Sequence, residues 1–294
     1  MLLSISLILI MGMSLGHICQ KLKLPSLLGM LLTGIILGPY VLNILDPNIL
    51  AISGDLRKIA LIIILTRAGL GLDLSALRKL GRPAILMCFV PATFELLAVL
   101  LLAPTLLDSS LLESLILGSV LAAVSPAVIV PRMVKLMDEG YKDIPDLILA
   151  GASVDDVYVI VLFSTFIGMA QGQGANIMSF VNIPISIFLG ILIGLLLGYA
   201  LAFFFKIIHI RDTTKVLIIL SISLSLVVLE DFLTTSITFS SLIAIMFIGV
   251  GLKRNREVVA KRLSIKYGKL WVGAEVFLFV LVGATVNINY LSHV

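Results

Sequence analysis

Two aspartates stand side by side in the stretch Gly151-Ala152-Ser153-Val154-Asp155-Asp156-Val157-Tyr158, and apolar sequence continues beyond them to Ala170. Neighbours on a helix point about 100° apart, so the two carboxylates cannot share a face: one can meet a cavity while the other meets a partner. Adjacent carboxylates repel and are costly to desolvate, which makes the pair a candidate to hold a proton and exchange it for a small cation. Hard cations such as sodium prefer oxygen ligands, which the pair and neighbouring backbone carbonyls can supply.

The stretch before the pair, Leu121-Ala122-Ala123-Val124-Ser125-Pro126-Ala127-Val128-Ile129-Val130-Pro131, carries two prolines. Each removes a backbone donor from a helix, and their spacing predicts a helix interrupted at bilayer depth. Unwound backbone is tolerated there where it is buried or lines a cavity, as in transporter substrate sites. A kinked but continuous helix is the simpler alternative. Ser125 and Pro126 are candidates to line a site beside the aspartates. Glu95, in Pro91-Ala92-Thr93-Phe94-Glu95-Leu96-Leu97, sits mid-run with no charged neighbour and needs a buried cation or a proton. Arg67, in Thr66-Arg67-Ala68-Gly69-Leu70-Gly71-Leu72-Asp73, is a candidate partner, although it can equally snorkel to its helix end. Each ionisable group at bilayer depth needs an account, because insertion costs ~2.5–3.5 kcal/mol. Glu275 reads as a wetted residue at a helix end, and His17, His209 and His293 are given no role.

What must position these residues is a bundle in a membrane. Of the 294 residues 60% are apolar and 13% charged, against about 45–50% and 25% in soluble domains. The mean hydropathy is +1.19. The formal charge of +4 reports membrane topology rather than affinity for nucleic acid. Cys19 and Cys88 both lie in apolar runs and build neither a disulfide framework nor a metal cluster. The first run, Leu2 to Cys19, lacks the basic start and small-residue cleavage site of a signal peptide and reads as a span.

Apolar runs predict helices near 2–19, 25–44, 56–73, 83–107, 111–137, 144–170, 181–209, 214–231, 237–252 and 271–288. Cytoplasmic loops collect Lys and Arg. The odd-numbered loops hold eighteen of the twenty-one basic residues, whereas the even ones hold only Arg57 and Lys58. That alternation predicts ten spans with both termini outside. Gly12 with Gly16, Gly34 with Gly38, and the series Gly190, Gly194, Gly198 are spacings that let helices approach closely.

Four stretches carry a family resemblance: Thr66 to Asp73, Glu95 in its span, Ala123 to Pro131, and Gly151 to Asp156. Together they resemble the monovalent cation:proton antiporters of the sodium/hydrogen exchanger superfamily, in the electrogenic NapA/NHA-type branch. The resemblance implies an all-α integral membrane protein with the antiporter fold and its broken helix. It implies dimerisation helices 1–3 over residues 1–80, core helices 4–6 over 81–172, linker helix 7 over 173–210 and dimerisation helices 8–10 over 211–294. It further implies that Asp156 carries the proton and the Na+ or Li+, and that Asp155 is engaged by a basic residue in the closed site. The Glu95 position matches a glutamate that pairs with an arginine on a late helix. Family members continue beyond the span matching Trp271 to Asn287 with three more helices that bring the basic partner and a second broken helix. The expectation is therefore a C-terminally truncated chain with an incomplete inverted repeat, or one completed by another chain.

The function expected is secondary antiport of Na+ or Li+ against H+ by alternating access, in a homodimer in the cell membrane, a bacterial inner membrane in particular. No cofactor is implied. A non-transporting fragment and a sodium-coupled organic anion symporter of similar fold are the rivals. An intramembrane aspartyl protease places its aspartates on separate helices and carries a Gly-x-Gly-Asp stretch, neither of which occurs here, so no enzyme is expected.

Overall fold

The computed structural model describes residues 1–72, 81–124, 139–141, 143–170, 177–233 and 239–288, together with Met133 and Leu136. Among the described residues the regular elements are helices: α1 (Leu2–Lys21), α2 (Ser26–Leu37), α3 (Pro47–Ala51), α4 (Ser53–Gly71), α5 (Arg82–Leu106), α6 (Leu111–Leu121), α7 (Asp143–Gly168), α8 (Ile177–Ile207), α9 (Asp212–Leu233), α10 (Ser241–Asn255) and α11 (Glu257–Ala284). Each of the ten expected apolar runs contains one of them. The eleventh, α3, is a single turn started by Asp46, whose carboxylate accepts from the Asn48 amide at 2.9 Å, with Pro47 at its first position.

Among the described residues, five helices are long and apolar enough to cross a bilayer: Leu2–Lys21, Leu86–Leu106, Ile185–Ile207, Asp212–Glu230 and Glu257–Ala284. Shorter apolar helices are Ser26–Leu37 and Leu111–Leu121. The chain divides into two compact units, one of residues 1–67, 205–225 and 256–294, the other of 68–204 and 226–255.

In the first unit α1, α2 and α11 pack against one another. On α1 the buried positions Ser4, Ile8, Gly12, Gly16 and Cys19 form one stripe at helical spacing. On α2 Gly29 and Gly34 touch backbone: a Cβ at Gly34 would fall 1.9 Å from the Val280 carbonyl oxygen, and one at Gly29 2.4 Å from the Leu15 backbone. Glycine is required at both positions by close approach rather than by backbone angles. Ile8, Met30, Leu37, Val276 and Val280 fill the centre of this unit.

Helix α11 begins at Glu257, well before the expected start near 271, so most of the basic segment expected as a loop is helical. Its lysines and arginines interrupt the apolar run, but Val259, Ala260, Leu263 and Tyr267 share one face and are buried. That face has helical periodicity, which a search for unbroken apolar runs overlooks.

In the second unit α5, α6 and α7 pack against one another. The loop before α6 supplies a capping box: Glu113 Oε2 accepts from the Ser110 amide at 2.8 Å and Ser110 Oγ accepts from the Glu113 amide at 3.3 Å. Helix α6 ends at Leu121, before the prolines, and the chain is non-helical at Ala123 and Val124. Helix α10 is buried almost throughout from Ser241 to Leu252. It meets α8 at Gly190, Gly194 and Gly198, while α8 turns Phe188, Leu192, Leu196, Tyr199, Phe203 and Ile207 outward. That exposed apolar stripe suits lipid and would be costly in water.

Candidate functional site

Asp155 stands about midway along α7, a 26-residue helix. Its side chain is only 5% exposed, and its Oδ1 is fully buried with no hydrogen-bond partner. Buried polar atoms are nearly always paired, so a bare carboxylate oxygen makes Asp155 the candidate centre of the site.

The wall around Asp155 is built by the register of α5 against α7. Met87 packs over Gly151, where a Cβ would lie 2.7 Å from Met87 Cγ. One turn beyond Asp155, Tyr158 shares a 3.0 Å hydrogen bond with Thr93 Oγ1 and meets the Phe89 ring edge-on at 5.2 Å. Ala92, Ala122 and Val159 close the packing, so the residue that caps the C-terminal end of α6 belongs to the same cluster. Cys88, 2% exposed, and Glu95 are both within electrostatic reach of Asp155. Thr93, Tyr158 and Cys88 were not singled out from the sequence. Cys88 shares the buried stripe of α5 with Ala92, four residues on, which is the signal that could have found it.

The other expected residues fall differently. Glu95 and Arg67 are both exposed, not the buried charges expected; an exposed Arg67 is what the alternative, snorkelling to the helix end, called for. The inward stripe of α5 runs through Cys88, Ala92 and Leu96, leaving Glu95 at its edge between exposed Phe94 and Leu97. Arg67 is exposed on α4 between buried Thr66 and buried Gly69, its guanidinium carbon 3.7 Å from where a Cβ of Gly268 would stand. Its electrostatic neighbour is Glu275, and Glu95 has Asp155. Glu275 is half-buried and eighteen residues into α11, so it is not the helix-end residue expected. Ser125, Pro126 and the side chain of Asp156 lie outside the described residues. Among the described residues no three His, Cys, Asp or Glu side chains gather as a metal-binding group.

The described residues form a helical bundle in which α7 carries a buried carboxylate, Asp155, and α6 stops while the sequence stays apolar, a fold with solved counterparts. The solved structure of the sodium proton antiporter MjNhaP1 from Methanocaldococcus jannaschii at pH 8 matches with a TM-score of 0.84 at 23% identity, covering 98% of this chain and 71% of that one. The chain belongs to the sodium/hydrogen exchanger family: the family described as sodium/hydrogen exchanger, transmembrane, matches residues 5–294. Human sodium/hydrogen exchanger 9B2 is 34% identical over 281 residues, which cover 91% of this chain and 50% of that protein. Sodium/hydrogen exchanger 9B1 of Macaca fascicularis is 30% identical, with 94% and 56% covered. The chain thus spans about half the length of the curated relatives it matches. It is a multi-pass membrane protein of the antiporter fold.

Proposed function

We propose that this protein exchanges Na+ or Li+ for H+ across the membrane by alternating access, with Asp156 as the carrier and Asp155 as its partner carboxylate. The observation that carries the reading is the buried, unpartnered Oδ1 of Asp155 midway along α7. A carboxylate held this way is neutralised either by a proton or by a cation, and competition between the two for one site is what couples their fluxes. Ser125 and the backbone around Pro126 complete the cation's oxygen shell in this reading. The relatives named sodium/hydrogen exchangers and the neighbour named a sodium proton antiporter support it. The asymmetry of Lys and Arg between odd and even loops supports an outside N-terminus. Residues 1–80 and 211–294 form the homodimer contact, and 81–172 the moving core.

The test is a sodium or lithium pulse onto vesicles with an imposed pH difference, containing the full-length protein and read with a pH-sensitive dye. A cation-dependent pH change that disappears in Asp156→Asn is expected. Exchange retained in that variant removes Asp156 from the carrier role. Uptake of an organic anion driven by sodium would instead establish a symporter.

A further inference from the structure

Cys88 has no part in the proposed exchange, yet it faces the same acid. It lies on α5 between the two contacts that set the helix register, Met87 on Gly151 and Phe89 with Thr93 on Tyr158. Asp155 stands between Gly151 and Tyr158 on α7, so the thiol and the carboxylate come to the same level of the helix pair. Ala92 of α5 and Val159 of α7 share one packed cluster, and Cys88 and Asp155 each stand four residues, about one helical turn, before them. Both side chains are almost wholly buried, at 2% and 5% exposure, and the Asp155 oxygen that has no hydrogen-bond partner is available as a ligand.

A thiolate is a soft ligand and a carboxylate a hard one. Sodium takes only the oxygen and gains nothing from sulfur. A soft monovalent ion gains from both, and silver(I), a d10 ion content with two donors in line, needs no third side chain. We propose that Cys88 Sγ and a carboxylate oxygen of Asp155 form a binding site for a soft monovalent cation of the silver class, which occupies the exchanger and is not released. The step is a substitution without electron transfer: the S–H bond breaks, a sulfur–silver bond forms, and the proton leaves to water. It rests on the antiport reading in one respect, since the ion reaches the buried pair by the route a carried cation takes.

Cys19 is the other cysteine of the chain, so Cys19→Ala provides a background in which Cys88 is its sole thiol. Detergent-solubilised protein in this background is titrated with silver nitrate in chloride-free buffer and read by ultraviolet thiolate-to-silver charge-transfer absorption. One equivalent is expected to bind. The absorption should vanish in Cys88→Ala and in the size-matched Cys88→Ser, and binding should weaken about tenfold or more in Asp155→Asn. Sodium-driven proton movement is measured in parallel, each variant against its own rate without silver. Silver is expected to block the protein that keeps Cys88 and to leave the rate of Cys88→Ala or Cys88→Ser unchanged. Absorption indifferent to Asp155→Asn, no absorption at all, or block undiminished without Cys88 overturns the site. Sodium exchange present together with any of those results leaves the antiport reading intact. Absence of sodium exchange in the unmodified protein, with silver bound as expected, overturns the antiport reading and not the site.

Discussion

The α1–α2–α11 cluster and the α5–α6–α7 cluster are both three-helix packings, but they treat polar groups in opposite ways. In the first, helices touch backbone to backbone at Gly29, Gly34 and Gly283, and the buried hydroxyls are used up locally. Thr33 Oγ1 donates to the Gly29 carbonyl at 2.8 Å, and Ser4 Oγ accepts from the Asp46 amide at 2.9 Å. In the second, side chains hold the helices apart, Met87 over Gly151 and Tyr158 against Phe89 and Thr93, and a carboxylate oxygen is left bare. The first arrangement suits a part that keeps its shape, because close-packed backbone has no room to slide. The second stores an unmet electrostatic demand, which a bound ion can satisfy.

The sharpest way to break this contrast is Gly34→Ala. With a carbonyl oxygen 1.9 Å from the new methyl, α2 and α11 must separate, and a loss of about 3 kcal/mol, at the upper end for an overpacked site, is expected. It would be read as a lowered unfolding midpoint in detergent. An unchanged midpoint would show that the contact is loose. Asp155→Asn should act in the other direction: cation exchange is lost while the fold gains about 1–3 kcal/mol, as expected when a buried charge without a partner is removed. A variant that loses both activity and stability would mean that Asp155 serves packing.

A smaller effect comes from Tyr267, fully buried in the first unit, whose hydroxyl donates to the Val216 carbonyl at 3.3 Å. Tyr267→Phe should cost about 1 kcal/mol, that of one neutral hydrogen bond whose acceptor is left behind, with exchange at its normal rate. The smallest change is expected at Gly273, where an added Cβ meets nothing within 4 Å. Gly273→Ala should stabilise α11 by about 0.5–1 kcal/mol through helix propensity alone. A loss there would reveal a contact that the single chain does not make. Equal losses at Gly34 and Gly273 would dissolve the distinction between notched and open glycines.

Much of the bundle was legible because bilayer helices announce themselves by length and hydropathy, and each expected run holds a helix. Boundaries were less so. Helix α11 starts among lysines and arginines, where periodic burial of Val259, Ala260, Leu263 and Tyr267 outweighs the broken apolar run. Helix α6 stops at Leu121 although the sequence stays apolar, with the Ala122 amide bonded back to the Gly118 carbonyl at 3.0 Å. The expected pairing of Glu95 with Arg67 rested on opposite charge in similar company. Opposite charge says nothing of the face each helix turns inward: within its own unit Glu95 stands near the like charge of Asp155, and Arg67 near the opposite charge of Glu275.

By itself the sequence determined that this is a membrane bundle and roughly where its helices run, and it singled out Asp155 and Asp156 as candidates, because apolar length and the cost of a charge in lipid are local properties. Only the tertiary structure decided that Asp155 is buried with a bare oxygen, that Cys88 shares its level, and that the glycines of α2 are contact points while Gly273 is open. Those are properties of register between helices distant in sequence, and no spacing within one helix encodes the face its neighbour presents.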